Sequence, residues 1–288
     1  MACNVLRHNM RSLTKGQNMR IDTFTSVDCG RFLTLGALEG WIVDPWEPHF
    51  LLNASPNGNF CMRGSDGQAS AFVTTLKYRD SGWVGNLMVH PGLRNKGVGK
   101  RLFIKALESL RKNGAATFWL TASAMGRPLY EKHGFLVIDR INRWTGHGTA
   151  EHGQGLGSVS AKAHYALDYL GWGDERSTLL EAVAARAMVA AEANAFAMLQ
   201  PCGSQLQLGP CAASDADAAQ RVIRTLVAQV PKAMEIVCDA PAGNMAVAKL
   251  LEDLGFRIKG TTELMFAGVK PDYRPDYIYG LATMGSSG

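Results

Sequence analysis

LMVHPGLRNKGVGKRL, residues 87–102, is where the reading of this chain begins. An apolar strand ends at Val89 and Pro91 stops its pairing. Arg94-x-x-Gly97-x-Gly99 then opens a helix, in which Val98, Leu102, Phe103, Ala106, Leu107 and Leu110 recur at helical spacing. Glycine at 97 and 99 leaves no side chain in front of the first helical turn. The N–H groups of that turn have no intrahelical partner, and they carry the positive end of the helix dipole. Arg94, Lys96, Lys100 and Arg101 surround them with formal charge. The whole is a cradle for a pyrophosphate. It is not a Walker A loop, because no Ser or Thr follows Lys100, and it lacks the third glycine and early βαβ setting of a dinucleotide fingerprint.

Working outward, alternation and helical periodicity predict a strand at 19–24, short helices at 27–40 and 46–54, and strands at 59–63, 69–78 and 83–90. Beyond the helix that runs from Gly97 to Lys112 come a buried strand at 115–121, a short helix at 126–133 and a strand at 135–144. The order is mixed α/β: an antiparallel meander leads into a strand–helix–strand crossover. Residues 1–18 are expected to be a disordered leader. Residues 146–160, GHGTAEHGQGLGSVS, have the glycine content of a linker. The histidines there, His147 and His152, lack partners at metal-ligand spacing, and no metal is expected.

Composition narrows the class. Of 288 residues, 47% are hydrophobic and 19% charged, enough for a real core. The alanine-rich run 182–200 is broken by Arg186 and Glu192, so no membrane span is expected. Six cysteines without a C-x-x-C pair fit a reducing compartment, and a cytoplasmic location is expected. The net charge of +5 divides into +9 for residues 1–146 and −4 for the remainder, which places any polyanion on the first half. A nucleic-acid partner is disfavoured, because no aromatic–basic stripe, zinc-finger spacing or RNA-recognition signature accompanies the charge.

A second motif makes the reading specific. LYEKHGF, 129–135, follows Arg94 by the length of one helix, one strand and one short helix. With V-x-P, R-x-x-G-x-G and L-Y-E-K-x-G-F in this order, residues 19–145 resemble the GNAT acyltransferase superfamily. The resemblance implies a mixed sheet with a splayed central strand pair, acetyl-CoA as co-substrate, and transfer of the acetyl group directly to an amine. It also assigns positions. Main-chain groups of Leu87, Met88 and Val89 would face the pantetheine arm, and those of Arg94, Asn95, Lys96, Gly97, Val98, Gly99 and Lys100 the phosphates. The N–H of Val89 would support the thioester oxygen, and Tyr130 would be the acid for the departing thiolate. Ser123 stands where the family often has a cofactor-contacting asparagine, and Gly126 replaces the usual alanine.

The attacking amine must be neutral, so a base is expected. Glu39, Asp44, Glu47 and His49, clustered in EGWIVDPWEPH, and His90 at the strand end are the candidates, and the residues alone do not choose among them. The first two helices border the acceptor mouth in the family, which makes Glu39, Trp41, Asp44 and Glu47 candidate acceptor contacts. Trp41, Trp46 and Trp83 either line that mouth or belong to the core. Small amine, amino acid, antibiotic and protein N-terminus all remain open as acceptors.

The second half reads as a worn copy. LLEDLGF, 250–256, echoes LYEKHGF; MEIVCD, 234–239, echoes TFWLTA; and Asn244 stands at the family's asparagine position. Where the phosphate loop should fall, QLGPCAASDADAAQRVI carries no R-x-x-G-x-G, and Asp215 and Asp217 begin the helix, where they would repel a pyrophosphate. Leu251 replaces the tyrosine. The expected organisation is a catalytic domain over 19–146, a linker over 147–160 and a degenerate domain over 161–288, closing in a strand at 277–284. Gly173-Asp174-Glu175-Arg176 is expected to form an interdomain ion pair or helix cap. Without an identifiable base, a non-catalytic acyl-CoA-binding or sensing module is the alternative.

Overall fold

The computed structural model describes residues 19–150 and 164–288; the expected leader and positions 151–160 of the expected linker lie outside the described residues. The first half runs β1 (Arg20–Thr23), α1 (Cys29–Leu38), α2 (Trp46–Ala54), β2 (Phe60–Arg63), β3 (Ala69–Lys77), β4 (Ser81–Val89), α3 (Val98–Lys112), β5 (Thr117–Ala122), α4 (Arg127–Glu131) and β6 (Leu136–His147). The second runs α5 (Tyr165–Trp172), α6 (Ser177–Ala184), β7 (Met188–Glu192), β8 (Ala195–Cys202), β9 (Gln205–Ala213), α7 (Ala216–Val227), β10 (Glu235–Pro241), α8 (Met245–Asp253), β11 (Arg257–Gly268) and the short β12 (Ile278–Gly280). No helix among the described residues is long and apolar enough to cross a membrane.

The mixed α/β class and the repeat are as expected, but the two sheets are joined. The strand order is β1-β2-β3-β4-β5-β11-β6-β10-β9-β8-β7, with β12 on β9. Each half has handed its last long strand to the other. β11 of the second half pairs antiparallel with β5 of the first from Glu263↔Ala122 to Gly268↔Thr117, and β6 of the first pairs with β10 of the second from Glu235↔His147 to Pro241↔Ile141. β6 and β11 then pair with each other at the centre. β6 continues past 144 to His147, and the N–H groups of Gly148 and Ala150 bond to Met234 and Val230, so the chain leaves the first half already attached to the second.

The cores follow the same plan. One apolar cluster lies between the first-half strands and α3, another between the second-half strands and α7 and α8. A third draws on both halves: Trp83 and Trp119 meet Trp172, with ring centroids 6.0 and 5.6 Å apart, and Leu264 and Phe266 of β11 join them. The interdomain ion pair expected of the 173–176 stretch is Glu175 with Arg79 at 3.5 Å, and further contacts surround it. The Asp174 carboxylate accepts the N–H groups of Asp80 (3.1 Å) and Ser81 (2.7 Å) at the β3–β4 turn, and buried Arg176 makes a bidentate pair with Asp168 while lying over the Trp172 ring.

The expected closing strand is shorter than its sequence suggests. Only Ile278–Gly280 pair, on β9 of the second half. Beyond Gly280 the chain leaves the sheet, and main-chain and side-chain donors of the first half hold its carbonyls at 284, 285 and 287. Asn86 N–H bonds Gly285 O (3.3 Å), and Thr121 Oγ1 bonds Met284 O (2.5 Å).

Candidate active site

β4 and β5 run parallel but pair only from Ser81↔Thr117 to Trp83↔Trp119, after which they diverge. On the far side of β4 the register with β3 slips between Phe72 and Thr74. The extra residue is accommodated by Asn86, which adopts φ 49°, a left-handed conformation that asparagine tolerates better than most residues. The bulge turns the end of β4 away from β5 and opens the splay. At its tip, His90 N–H donates to Ser70 O on β3 (2.9 Å). Main-chain groups alternate along a strand, so the N–H and C=O of Val89 face the opening. The side chains of Leu87 and Val89 are half-buried and that of Met88 is buried.

The loop beyond is bare. Gly97 (φ 76°) caps α3 with no side-chain hydrogen bond to the helix, and a Cβ there would meet nothing within 4 Å. Asn95 is also left-handed at φ 61°, while the Val98 side chain is buried and pins the turn from below. Lys100 and Arg101 are exposed beside the free N–H groups, and Lys96 Nζ donates to Gly92 O (2.8 Å). These residues fit a pyrophosphate: open space, unclaimed donors and positive charge coincide. Arg94 departs from the expected picture of charge around the turn. Its Nε holds Val89 O (3.1 Å) and its Nη2 pairs with Glu39, so its guanidinium braces the strand end against α1.

The corresponding turn of the second half is closed. Asp215 caps α7 by accepting the Ala218 N–H (2.7 Å), and β12 together with Leu281 lies along the opening between β9 and β10. Leu251 is fully buried. Asn244 is structural: it caps α8 through Val247 N–H (3.1 Å) and donates to the carbonyl of Ile278 (3.0 Å).

A cavity of about 410 Å³ lies in the first-half splay, and residues of both halves wall it. Leu87, Ser123 and Tyr130 line one side; Trp41, Asp44, Trp46 and Glu47 line another; Arg143, Arg186, Cys202 and residues 282–286 complete it. Tyr130 packs on Phe103 (centroids 4.9 Å apart) and Phe135, and burial pushes its phenol up to about 12, so it stays protonated. Ser123 Oγ accepts the Gly126 N–H at 3.2 Å.

The candidate bases separate clearly. Glu39 is committed to Arg94 and does not line the cavity. Asp44 takes Arg186 (3.1 Å) and the N–H groups of Trp46 and Gly203. Burial works to raise its pKa, but those donors more than offset it and hold the carboxyl below its usual value. His49 is exposed and outside the cavity. The His90 ring caps the turn after β4 by accepting the Gly92 N–H, and burial, then Arg31 and Arg94, hold its pKa below the usual imidazole value. Glu47 differs from all of them. Burial pushes its carboxyl up to about 7, against the donors Asn86 (Nδ2, 3.0 Å) and Ser286, with the nearby Asp44 adding to the rise. Among the tryptophans, Trp41 and Trp46 form cavity wall, whereas Trp83 is fully buried core.

Sequence reasoning missed Asn86, Arg143 and the 282–286 segment. The strand 83–90, WVGNLMVH, carried no cue that Asn86 would bulge, and Arg143 enters only because β6 crosses into the other half.

This fold and site define a class: a GNAT domain with an open cleft at its splay, followed by a second whose cleft is filled. Comparison with known proteins agrees. Residues 30–135 match the acetyltransferase (GNAT) family and residues 165–280 a further acetyltransferase (GNAT) domain. The chain belongs to the GNAT family as a tandem protein and is an acyltransferase of it. A crystal structure of a Pyrococcus horikoshii protein assigned to the acetyltransferases superposes with TM-score 0.80 at 20% identity, covering 97% of this chain and 99% of that one. A GCN5-related N-acetyltransferase from Sphaerobacter thermophilus gives TM-score 0.59 at 15% identity over 89% and 98%. In sequence, the [ribosomal protein bS18]-alanine N-acetyltransferase of Escherichia coli K12 is 33% identical over 95 residues. The match covers 32% of this chain and 64% of that relative, less than two thirds of its length.

Proposed function

We propose that the first half transfers an acetyl group from acetyl-CoA directly to a primary amine, and that the second half keeps the scaffold without the cofactor. The observation carrying this reading is that one cavity joins the open edge of β4, a protonated tyrosine and a carboxyl whose pKa lies near neutrality. The co-substrate supplies the activated acyl group as a thioester; the chain supplies everything else. Main-chain N–H groups of the turn from Arg94 to Lys100 would hold its phosphates, with Lys96 and Lys100 adding charge, and the edge of Leu87–Val89 its pantetheine arm.

Three groups then divide the chemistry. The N–H of Val89 faces the splay and is placed to meet negative charge developing on the acyl oxygen. Glu47, half ionised near neutral pH, takes the proton of the acceptor ammonium or amine. Tyr130, kept neutral by burial, gives its proton to the departing thiolate. The binding-only alternative rested on the want of a base, and Glu47 is the residue that supports the enzymatic reading against it. The acceptor of the Escherichia coli relative is by its name the alanine of a ribosomal protein, which supports an amine on a peptide or a small molecule here. A cytoplasmic setting suits such a reaction.

The test is thiol release from acetyl-CoA by the full chain across a panel of small amines and short peptides. Amine-dependent release, reduced roughly 10²-fold in kcat by Tyr130→Phe with little change in CoA affinity, is the expected result. CoA uptake without release for any amine would instead establish the binding module.

A further inference from the structure

Arg143 is a charged group of the cavity wall with donor capacity to spare. In the β6–β10 ladder it stands directly opposite Asp239, and its Nε and Nη2 grip that carboxylate at 2.8 and 2.7 Å. Asp239 is fully buried and also receives Gln207 Nε2 at 3.4 Å, so the guanidinium plane is fixed from behind. This side-on grip leaves Nη1 and the outer Nη2 hydrogen. The arginine side chain is 37% exposed and lines the cavity, and among the described residues no acceptor meets Nη1.

Several other polar groups of the wall are spent. Arg186 is stacked on Trp46 and divided between Asp44 and Pro201 O. Thr121, Thr262 and Gln200 donate to main-chain carbonyls. Glu47, Arg143 and Cys202 all line this one cavity. At about 410 Å³ the cavity has the size of a small-molecule site.

We infer that the acceptor is a small primary amine that also carries a carboxylate, held on the outer fork of Arg143 while its amine faces Glu47. The inference rests on the acetyl-transfer reading above and deepens it. An end-on guanidinium edge presents two parallel N–H groups matched to two carboxylate oxygens, and such charge-assisted pairs fix orientation as well as strength. The Asp239 anchor makes the fork rigid, so binding orders little that is not already ordered. The exchange of β6 is what delivers this residue: without it, Arg143 would not face Asp239 of the other half.

The test assays the full chain with acetyl-CoA and a set of free L-amino acids, each beside its own amide, and reads the acid-to-amide ratio of kcat/KM. The wild type should prefer acids by about 10- to 100-fold, the scale of hydrogen bonds to a charged group. Arg143→Lys should shrink the ratio. Arg143→Gln combined with Asp239→Asn, which leaves no lone buried charge, should bring it close to one; circular dichroism and CoA affinity report whether that variant is folded. A purely structural Arg143 would change stability and leave the ratio intact, which overturns the inference. Equal use of acids and amides by the wild type, or acceptance of other amines but no acid, overturns it too while acetyl transfer stands. Failure to take up CoA at all would bring down the function on which it rests.

Discussion

Asp44 and Glu47 stand three positions apart at the start of one short helix and differ in charge state near neutral pH because of what each meets. Asp44 finds Arg186, 142 positions along the chain, and two main-chain donors; Glu47 finds a buried amide and a hydroxyl, which do not balance its loss of water. Because the Glu47 carboxyl works as a base only when ionised, kcat should fall on the acid side with an apparent pKa near 7 and level off above it. Glu47→Gln should lower kcat by about 10²-fold and abolish that limb, whereas Asp44→Asn should leave the limb in place; both follow from kcat measured across pH. The sequence could nominate both carboxylates, since acidic residues at a helix start beside tryptophans are visible. It could not choose between them, because the choice depends on partners brought from distant strands. Tyr130 was easier to nominate, because the motif 129–135 that carries it also carries Phe135, against which it packs.

At the level of elements, the two long helices that follow the splayed strands make a controlled pair. α3 begins on Gly97 with no side-chain cap; α7 begins on Asp215, whose carboxylate occupies the position an anion would take. Asp215→Ala should therefore cost roughly 1 kcal/mol in urea or thermal unfolding, the usual worth of such a cap, without affecting thiol release. This difference was readable in advance because a helix start is encoded by its own few residues. The Asn86 bulge and the departure of residues 281–288 from the sheet were not, since each is decided by contact across the splay. Ser286→Ala removes a donor to Glu47 and should raise the carboxyl further, shifting the acid limb of the rate profile upward in pH.

The whole molecule is one sheet in which neither half is complete. β6 and β11 are both 12 residues long and each follows a Gly-Phe pair, so a sequence shows that two copies exist but not which strand joins which. Tryptophans of both halves share a core, so fluorescence and far-UV circular dichroism should trace one coincident unfolding transition; two separated transitions would mean the exchanged strands do not couple the halves. Within this shared scaffold only the first splay keeps its phosphate turn open. Calorimetric titration of the chain with CoA addresses that directly. One site per chain is expected, lost in Gly99→Asp, whose Cβ would have room beside Val89 at 3.5 Å and whose carboxylate would stand where the phosphates belong. Two sites, none, or binding unchanged by Gly99→Asp would contradict it.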